Sequence, residues 1–470
     1  MNAPLKSGTA RKPTIAQDLA ARVIDAPREF DKAVTHAVER LLLDSMACAL
    51  GAAGSPSVIA LRKWAQRVAG EPAAGIWGTA ERSSVIGAAL VNCTMTRDLD
   101  MNDTYFSHNP GHLSDNIGAC IAVGEAEGST TTEVMRAILI AFEVQMRACE
   151  FTRSSFFKTA GWDQTTFITP ATAAAVGSLL KLNAGQLTNA LAIAGSYPGT
   201  GEMRVGQISM MKSVSAGLAA TRGIEAAYLA KEGVTGPHEV FEGQRGLGKL
   251  ILGECDWGLL TAPFGDWRLP RTCLKRYPAA YIIHASIDAT LALRAEHGIK
   301  PQDVKEVLVE AFGWLIEDMV NGMGGTSRYD IDARETADHS LPYCVAVSLV
   351  DGRYDIGQLN SGRWAAPEVR AMIQKVKCVH DKAMDARFPP DRPTRVTIVT
   401  NDGRKHVREL PYPKGDYREP FSDEELAAKF RTLSAAVLAP AEQECAIACA
   451  LNFSRESVAS LLQACMPGKR

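Results

Sequence analysis

The stretch Arg395-Val396-Thr397-Ile398-Val399-Thr400-Asn401-Asp402-Gly403-Arg404 decides the fold class. Its first six residues are mostly β-branched, which suits a pleated, half-buried strand. Asp402-Gly403 then supplies the backbone freedom for a tight turn into residues 405–409, so the segment reads as a β-hairpin. Upstream, Val304-Lys305-Glu306-Val307-Leu308-Val309-Glu310 reads as a second strand, and residues 375–380 form a further short candidate. Helical periodicity lies between them, over 283–296, 344–349 and 366–374. This part of the chain is expected to be an α+β unit with an antiparallel sheet.

Outward from that unit the character is helical. Ala-rich, amphipathic stretches run over 16–24, 30–50, 56–69, 85–97, 117–127, 131–150, 170–182, 184–195 and 209–232. Their apolar residues recur at three and four rather than two. Residues 190–194 are apolar all round, as in a helix buried in the middle of a multilayer bundle. Ser422-Asp423-Glu424-Glu425 has the capping-box form that opens a further helix. The expected fold class is mainly α with an α+β part. A large all-helical domain, discontinuous over 15–272 and 412–470, carries an inserted α+β lid over 273–411, after a disordered lead-in at 1–14. The chain shows no internal repeat.

Composition excludes several classes. A chain of 470 residues with 46% hydrophobic and 22% charged residues has the make-up of an ordinary globular protein of about two domains. A net charge of −2 lacks the basic excess of a nucleic-acid binder. No apolar run reaches the ~20 residues of a membrane span. The polar start lacks the apolar region of a secretory signal. Eleven scattered cysteines without a C-x-x-C pair argue against zinc ribbons and iron–sulfur cradles, and point to a reduced, cytoplasmic setting.

The densest polar segment runs from Asp98 to Asn116, between two apolar helices. Each Asp or Asn there is singly as good a helix cap as a functional group. Two histidines (His108 and His112) with three nearby aspartates suit acid–base work, since a carboxylate orients an imidazole. A metal site is the competing reading. Arg204 and Lys212 flank the start of a helix of small residues, where a lysine is favourable only with an anion to share. Lys275-Arg276-Tyr277-Pro278 leads to His284 in an apolar helix, where a core histidine is the plainer reading. Asp338-His339 stands either as a capped helix start or as an oriented acid–base pair.

Across these segments the chain resembles the MmgE/PrpD family. The matching pieces are Asp100-x-x-Asp103-Thr104-Tyr105, Gly111-His112-x-Ser114-Asp115-Asn116, Gly161-Trp162-Asp163, Lys212, Tyr277-Pro278 leading to His284, and Asp338-His339 with Pro342-Tyr343. Phe241-Glu242-Gly243 and Lys414-Gly415-Asp416 also fit. The ordered set spans about residues 15–465. The resemblance implies an all-helical domain with an inserted α+β lid, a homodimer, and action on di- or tricarboxylates without metal or organic cofactor. It implies Asp100, His112, His284, Lys212 and Tyr343 as catalytic residues. Thr104, Arg204, Lys275, Gln164 and Asp163 are the expected substrate-binding residues. Two positions depart from the family. Leu113 stands where Pro is usual, and Gln164 where dehydratase-like members often have His.

The expected activity is a hydro-lyase that dehydrates a hydroxy-polycarboxylate, 2-methylcitrate or citrate, with no nucleic-acid or membrane partner. His112, oriented by Asp100, and His284 are the expected acid and base. Lys212 and Arg204 would bind carboxylates, and Tyr343 would donate from the lid side. The same parts serve a cis-aconitate-type decarboxylation or an epimerisation. Gln164 and Leu113 also leave room for an inactive, polycarboxylate-binding module.

Overall fold

The computed structural model describes residues 12–152, 161–197 and 201–468. The expected lead-in falls mostly outside these residues. Among the described residues the chain is mostly helical, with one four-stranded sheet and two short two-stranded ones. Helices occupy Ile15–Asp25, Lys32–Gly51, Pro56–Ala65, Val85–Asp98, Ile117–Ala126, Thr131–Glu150, Ile168–Leu179, Ala184–Ser196 and Met211–Lys231. Asp423–Ser434, Pro440–Leu451 and Val458–Ala464 follow near the C-terminus. The Ser422 capping box forms as expected, with its hydroxyl on the Glu425 N–H and the Glu425 carboxylate on the Ser422 N–H. Among the described residues, no single helix is long and apolar enough to cross a membrane, and all eleven cysteines are free.

The helix Met211–Lys231 packs against Val85–Asp98, Ile168–Leu179 and Ala184–Ser196. Its glycines make this approach possible. A Cβ on Gly217 would sit 2.6 Å from the Leu90 carbonyl oxygen, and one on Gly223 would sit 2.6 Å from that of Thr169. Glycine costs helix propensity, but here it lets one backbone reach another.

The four-stranded sheet is mixed. Val304–Ala311 pairs parallel with Val376–His380 on one side and antiparallel with Thr394–Thr400 on the other. Lys405–Leu410 completes the hairpin across Asn401–Arg404, with Gly403 at φ 86°. The expected antiparallel sheet is therefore corrected at one pair. The long connection before Val376 contains the helices Leu341–Asp351 and Pro367–Ile373, and such a crossover returns a strand in the parallel sense.

Buried apolar side chains form two clusters. One is built from residues up to Leu274 and again from Phe421 onward. The other is built from residues between Tyr277 and Ile398. The polar cavity described next lies where the two meet.

Candidate active site

The last turn of Val85–Asp98 starts the site. Every residue from Gly87 to Asp98 is buried, so Arg97 enters the interior as part of a helix that cannot turn away. Past the helix end, Asp100 adopts φ 51°. This left-handed conformation is costly for most residues and is tolerated best by Gly, Asn and Asp. It aims the Asp100 carboxylate back at Arg97, whose Nη1 donates to Oδ1 at 2.9 Å.

Two lysines complete the cluster. Thr104 exchanges backbone hydrogen bonds of 2.8 and 2.9 Å with Cys273. That short pairing brings Lys275 against the Asp98–Asn116 loop, where its ammonium donates to the Asp100 carboxylate and, at 3.1 Å, to the Asp100 carbonyl. Lys212, in the first turn of Met211–Lys231, donates to Asp338 Oδ2 at 2.6 Å and to Asp100 Oδ2 at 3.2 Å. It is buried, not a solvated surface lysine. The anion its position calls for is the protein's own. Burial opposes ionisation of Asp100, but Arg97, Lys275 and Lys212 outweigh it and hold the carboxyl well below the usual carboxylate range. Burial, with Arg97 and Lys212 nearby, pulls the Lys275 ammonium down despite Asp100.

His112 precedes the short helix Leu113–Asn116. Its Nδ1 lies 2.7 Å from the Asp103 carbonyl oxygen. A carbonyl only accepts, so Nδ1 carries the proton and Nε2 is left as the basic nitrogen. The orienting group is thus the Asp103 backbone, not the Asp100 carboxylate. The Asp103 side chain accepts from the Leu113 and Ser114 amides at 3.1 and 3.0 Å, so the N-terminus of this short helix already holds a carboxylate. Burial, reinforced by Arg97 and Lys275, pushes the His112 imidazole well below its ordinary pKa and keeps it neutral.

Gln164 opens a second short helix beside His112, and its Oε1 accepts from the His112 N–H at 3.3 Å. Asp163 caps that helix through the Thr165 N–H at 2.9 Å while also lining the cavity. Burial, with Glu202 nearby, raises the Asp163 carboxyl. Arg204 is held by Glu202 at 2.9 Å and Asp318 at 3.3 Å. The cavity is lined by Arg97, Asp100, Thr104, His112, Asp163, Gln164, Arg204, Lys212, Lys275, Asp318 and His339. Phe106, Tyr281, Ile282, Trp314 and Met319 add an apolar side.

Eight of the ten expected residues therefore meet in one cavity: Asp100, His112, Lys212, Thr104, Arg204, Lys275, Gln164 and Asp163. The structure does not bring His284 and Tyr343 there. His284 is sealed behind the wall between the rings of Tyr277 and Tyr281, at 5.3 and 5.5 Å, with Nε2 3.2 Å from the Ala279 carbonyl oxygen. Burial pushes its pKa to about 3. Tyr343 starts the helix Leu341–Asp351 with its side chain in the second core, where its hydroxyl donates to the Gln358 carbonyl at 3.3 Å. His108 is exposed. Arg97 was missed from sequence, although its i, i+3 spacing to Asp100 at a helix C-terminus was a visible signal.

Asp100, Asp338 and His339 place possible metal ligands within 4.8 Å of one another. The Lys212 ammonium sits between the two carboxylates at the position an ion would take, with Lys275 also on Asp100. The donor set is therefore already served by cations and does not fit a resident metal.

Two family models together match most of the chain. Residues 17–260 match the MmgE/PrpD N-terminal domain, and residues 277–455 match the MmgE/PrpD C-terminal domain. The chain belongs to the MmgE/PrpD family. Relatives within this family include the cis-aconitate decarboxylase of Mus musculus, 25% identical over 85% of this chain and 82% of that one. The 2-methylcitrate dehydratase of Cupriavidus necator is 26% identical over 88% of each chain. The 2-methylcitrate dehydratase of Escherichia coli K12 is 24% identical over 73% of each.

Proposed function

We propose that this family member is a hydro-lyase that dehydrates a small hydroxy-polycarboxylate, with 2-methylcitrate or citrate as the leading substrates, to the aconitate-type product. One observation carries the reading. A neutral, oriented His112 lines the same cavity as Arg97, Arg204, Lys212 and Lys275. Arg97, Lys212 and Lys275 share two carboxylates, Asp100 and Asp338, which leaves one positive charge among the three for an incoming polyanion.

In this reading the cations bind the substrate carboxylates and stabilise the enolate-like charge that develops beside one of them. His112 Nε2 takes the proton α to that carboxylate. The C–H electron pair becomes the new C=C bond, the C–O bond breaks, and the hydroxyl leaves with a second proton as water. The part of the chain over 273–411 covers the bound substrate.

The test is direct. Purified protein with 2-methylcitrate, citrate or cis-aconitate should form or consume the unsaturated acid, followed by ultraviolet absorbance. No turnover of any of the three by folded protein rejects the reading. Gln164 favours one alternative. The Gln164 amide beside His112 transfers no proton, and His112 is by itself enough to protonate the carbanion left by a decarboxylation. Carbon dioxide release from cis-aconitate, without hydration, would select it.

A further inference from the structure

The dehydration needs two proton transfers, one from carbon and one to the departing hydroxyl, and Gln164 supplies neither. His339 lines the cavity from the second core. Its Nδ1 donates to Asp338 Oδ1 at 2.5 Å, and its Nε2 stands 3.7 Å from Asp100 Oδ2. The Lys212 ammonium bridges the same two carboxylates. Imidazole, Asp338, Lys212 and Asp100 thus form a chain at the cavity wall, open at the 3.7 Å gap between His339 Nε2 and Asp100.

We propose that His339 is the second proton-transfer group of this site, the one that protonates the leaving hydroxyl, and that it takes up its proton when the polycarboxylate binds. This rests on the hydro-lyase reading. In the empty site the imidazole is neutral. Burial is the main cause, Lys212 adds repulsion, and together they overcome Asp338 and Asp100 to hold His339 at about 4. A substrate carboxylate on Lys212 offsets that repulsion. The substrate's negative charge then joins the two aspartates in favouring the imidazolium against burial.

The step balances as follows. His112 Nε2 accepts the C–H proton, and the freed pair forms the C=C bond. The C–O pair leaves with the His339 Nε2 proton as water. His339 ends neutral and His112 charged, and solvent returns the proton from one to the other between turnovers.

The experiment uses the full-length protein and tricarballylate, a tricarboxylate with no hydroxyl to lose. Calorimetry in buffers of different ionisation enthalpy near pH 7 should show uptake of about one proton on binding. His339→Gln should bind tricarballylate within about threefold of wild type, lose the uptake, and lower kcat by about 10²–10⁴-fold with KM little changed. If that variant does not fold, Asp338→Asn replaces it. The amide still accepts from Nδ1 but carries no charge, so loss of the uptake and the fall in kcat are expected, while tricarballylate, freed from competition for Lys212, binds at least as tightly as to wild type. Turnover within about threefold of wild type in the folded variant overturns the proposal. So does loss of tricarballylate binding together with turnover, which marks a binding or structural residue. A wild type that leaves every hydroxy-tricarboxylate unchanged defeats the hydro-lyase reading itself, and this inference with it.

Discussion

Lys212 Nζ lies 2.6 Å from Asp338 Oδ2, with both side chains out of solvent contact. The two residues are 126 positions apart. One stands on a helix of the first core and the other just before a helix of the second, so the pair fastens the two cores together at the cavity. A buried ion pair contributes little net stability but is costly to break from one side. The same contact is thus structural in the empty site and available to a competing anion in the occupied one.

His112→Ala should lower turnover by about 10²–10⁴-fold while leaving the melting temperature within a few degrees of wild type. The ring donates to the Asp103 carbonyl, and its removal leaves the Asp103 cap on Leu113 and Ser114 in place. Steady-state kinetics beside a thermal melt checks this. Full activity in the mutant removes the central residue of the proposed function.

Asp100→Ala should destabilise the fold by about 3–5 kcal/mol, because it strands buried cations. Backbone geometry adds a second discrimination. At φ 51°, Asp100→Asn should retain more stability than Asp100→Val, whose β-branched side chain is strained in the left-handed region. Chemical denaturation of the three variants ranks them, and a Val variant as stable as the Asn variant contradicts the argument.

Asp115 gives a pH dependence with a definite sign. Burial is the main cause that raises its carboxyl from 3.8 to about 8, with Asp103 nearby adding to it and Arg97 opposing. Between those values the folded protein holds a proton that the unfolded chain has released. Stability from this group is therefore fullest at low pH and is lost as pH rises through the window. Asp115→Asn does not titrate, so its advantage in melting temperature over wild type should widen from about pH 4 to about pH 8. A gap that does not change with pH refutes the shift.

Gly217→Ala should destabilise by about 1–3 kcal/mol, the usual cost of overpacking. The added carbon would meet the Leu90 carbonyl oxygen at 2.6 Å and Thr94 Oγ1 at the same distance. Intrinsic helix propensity alone predicts the opposite sign, so the direction of the melting shift decides which effect wins.

Local signals account for much of this molecule. The helices, the Ser422 capping box and the Asp402-Gly403 hairpin follow from periodicity, cap chemistry and turn chemistry, which act over a few residues. Family motifs pointed to eight residues that do line the cavity. They failed at His284 and Tyr343, where a motif position says nothing about which way a side chain faces once its helix is packed. The sheet's parallel pair was equally hidden, because the pairing partner of residues 376–380 lies beyond a long crossover.

What the sequence determined by itself was therefore the set of elements and the chemical types gathered at their ends. Tertiary structure alone decided which charges share which partner. Asp100 joins Arg97, Lys275 and Lys212 through a left-handed backbone turn, a two-residue pairing with Cys273 and a glycine-spaced helix contact. The Arg97 contact is local, at i, i+3, but the two lysine contacts are long-range relationships. The strength of each charge, and the protonation of His112 and His339, depends on burial and on neighbours distant in the chain, which no local pattern records.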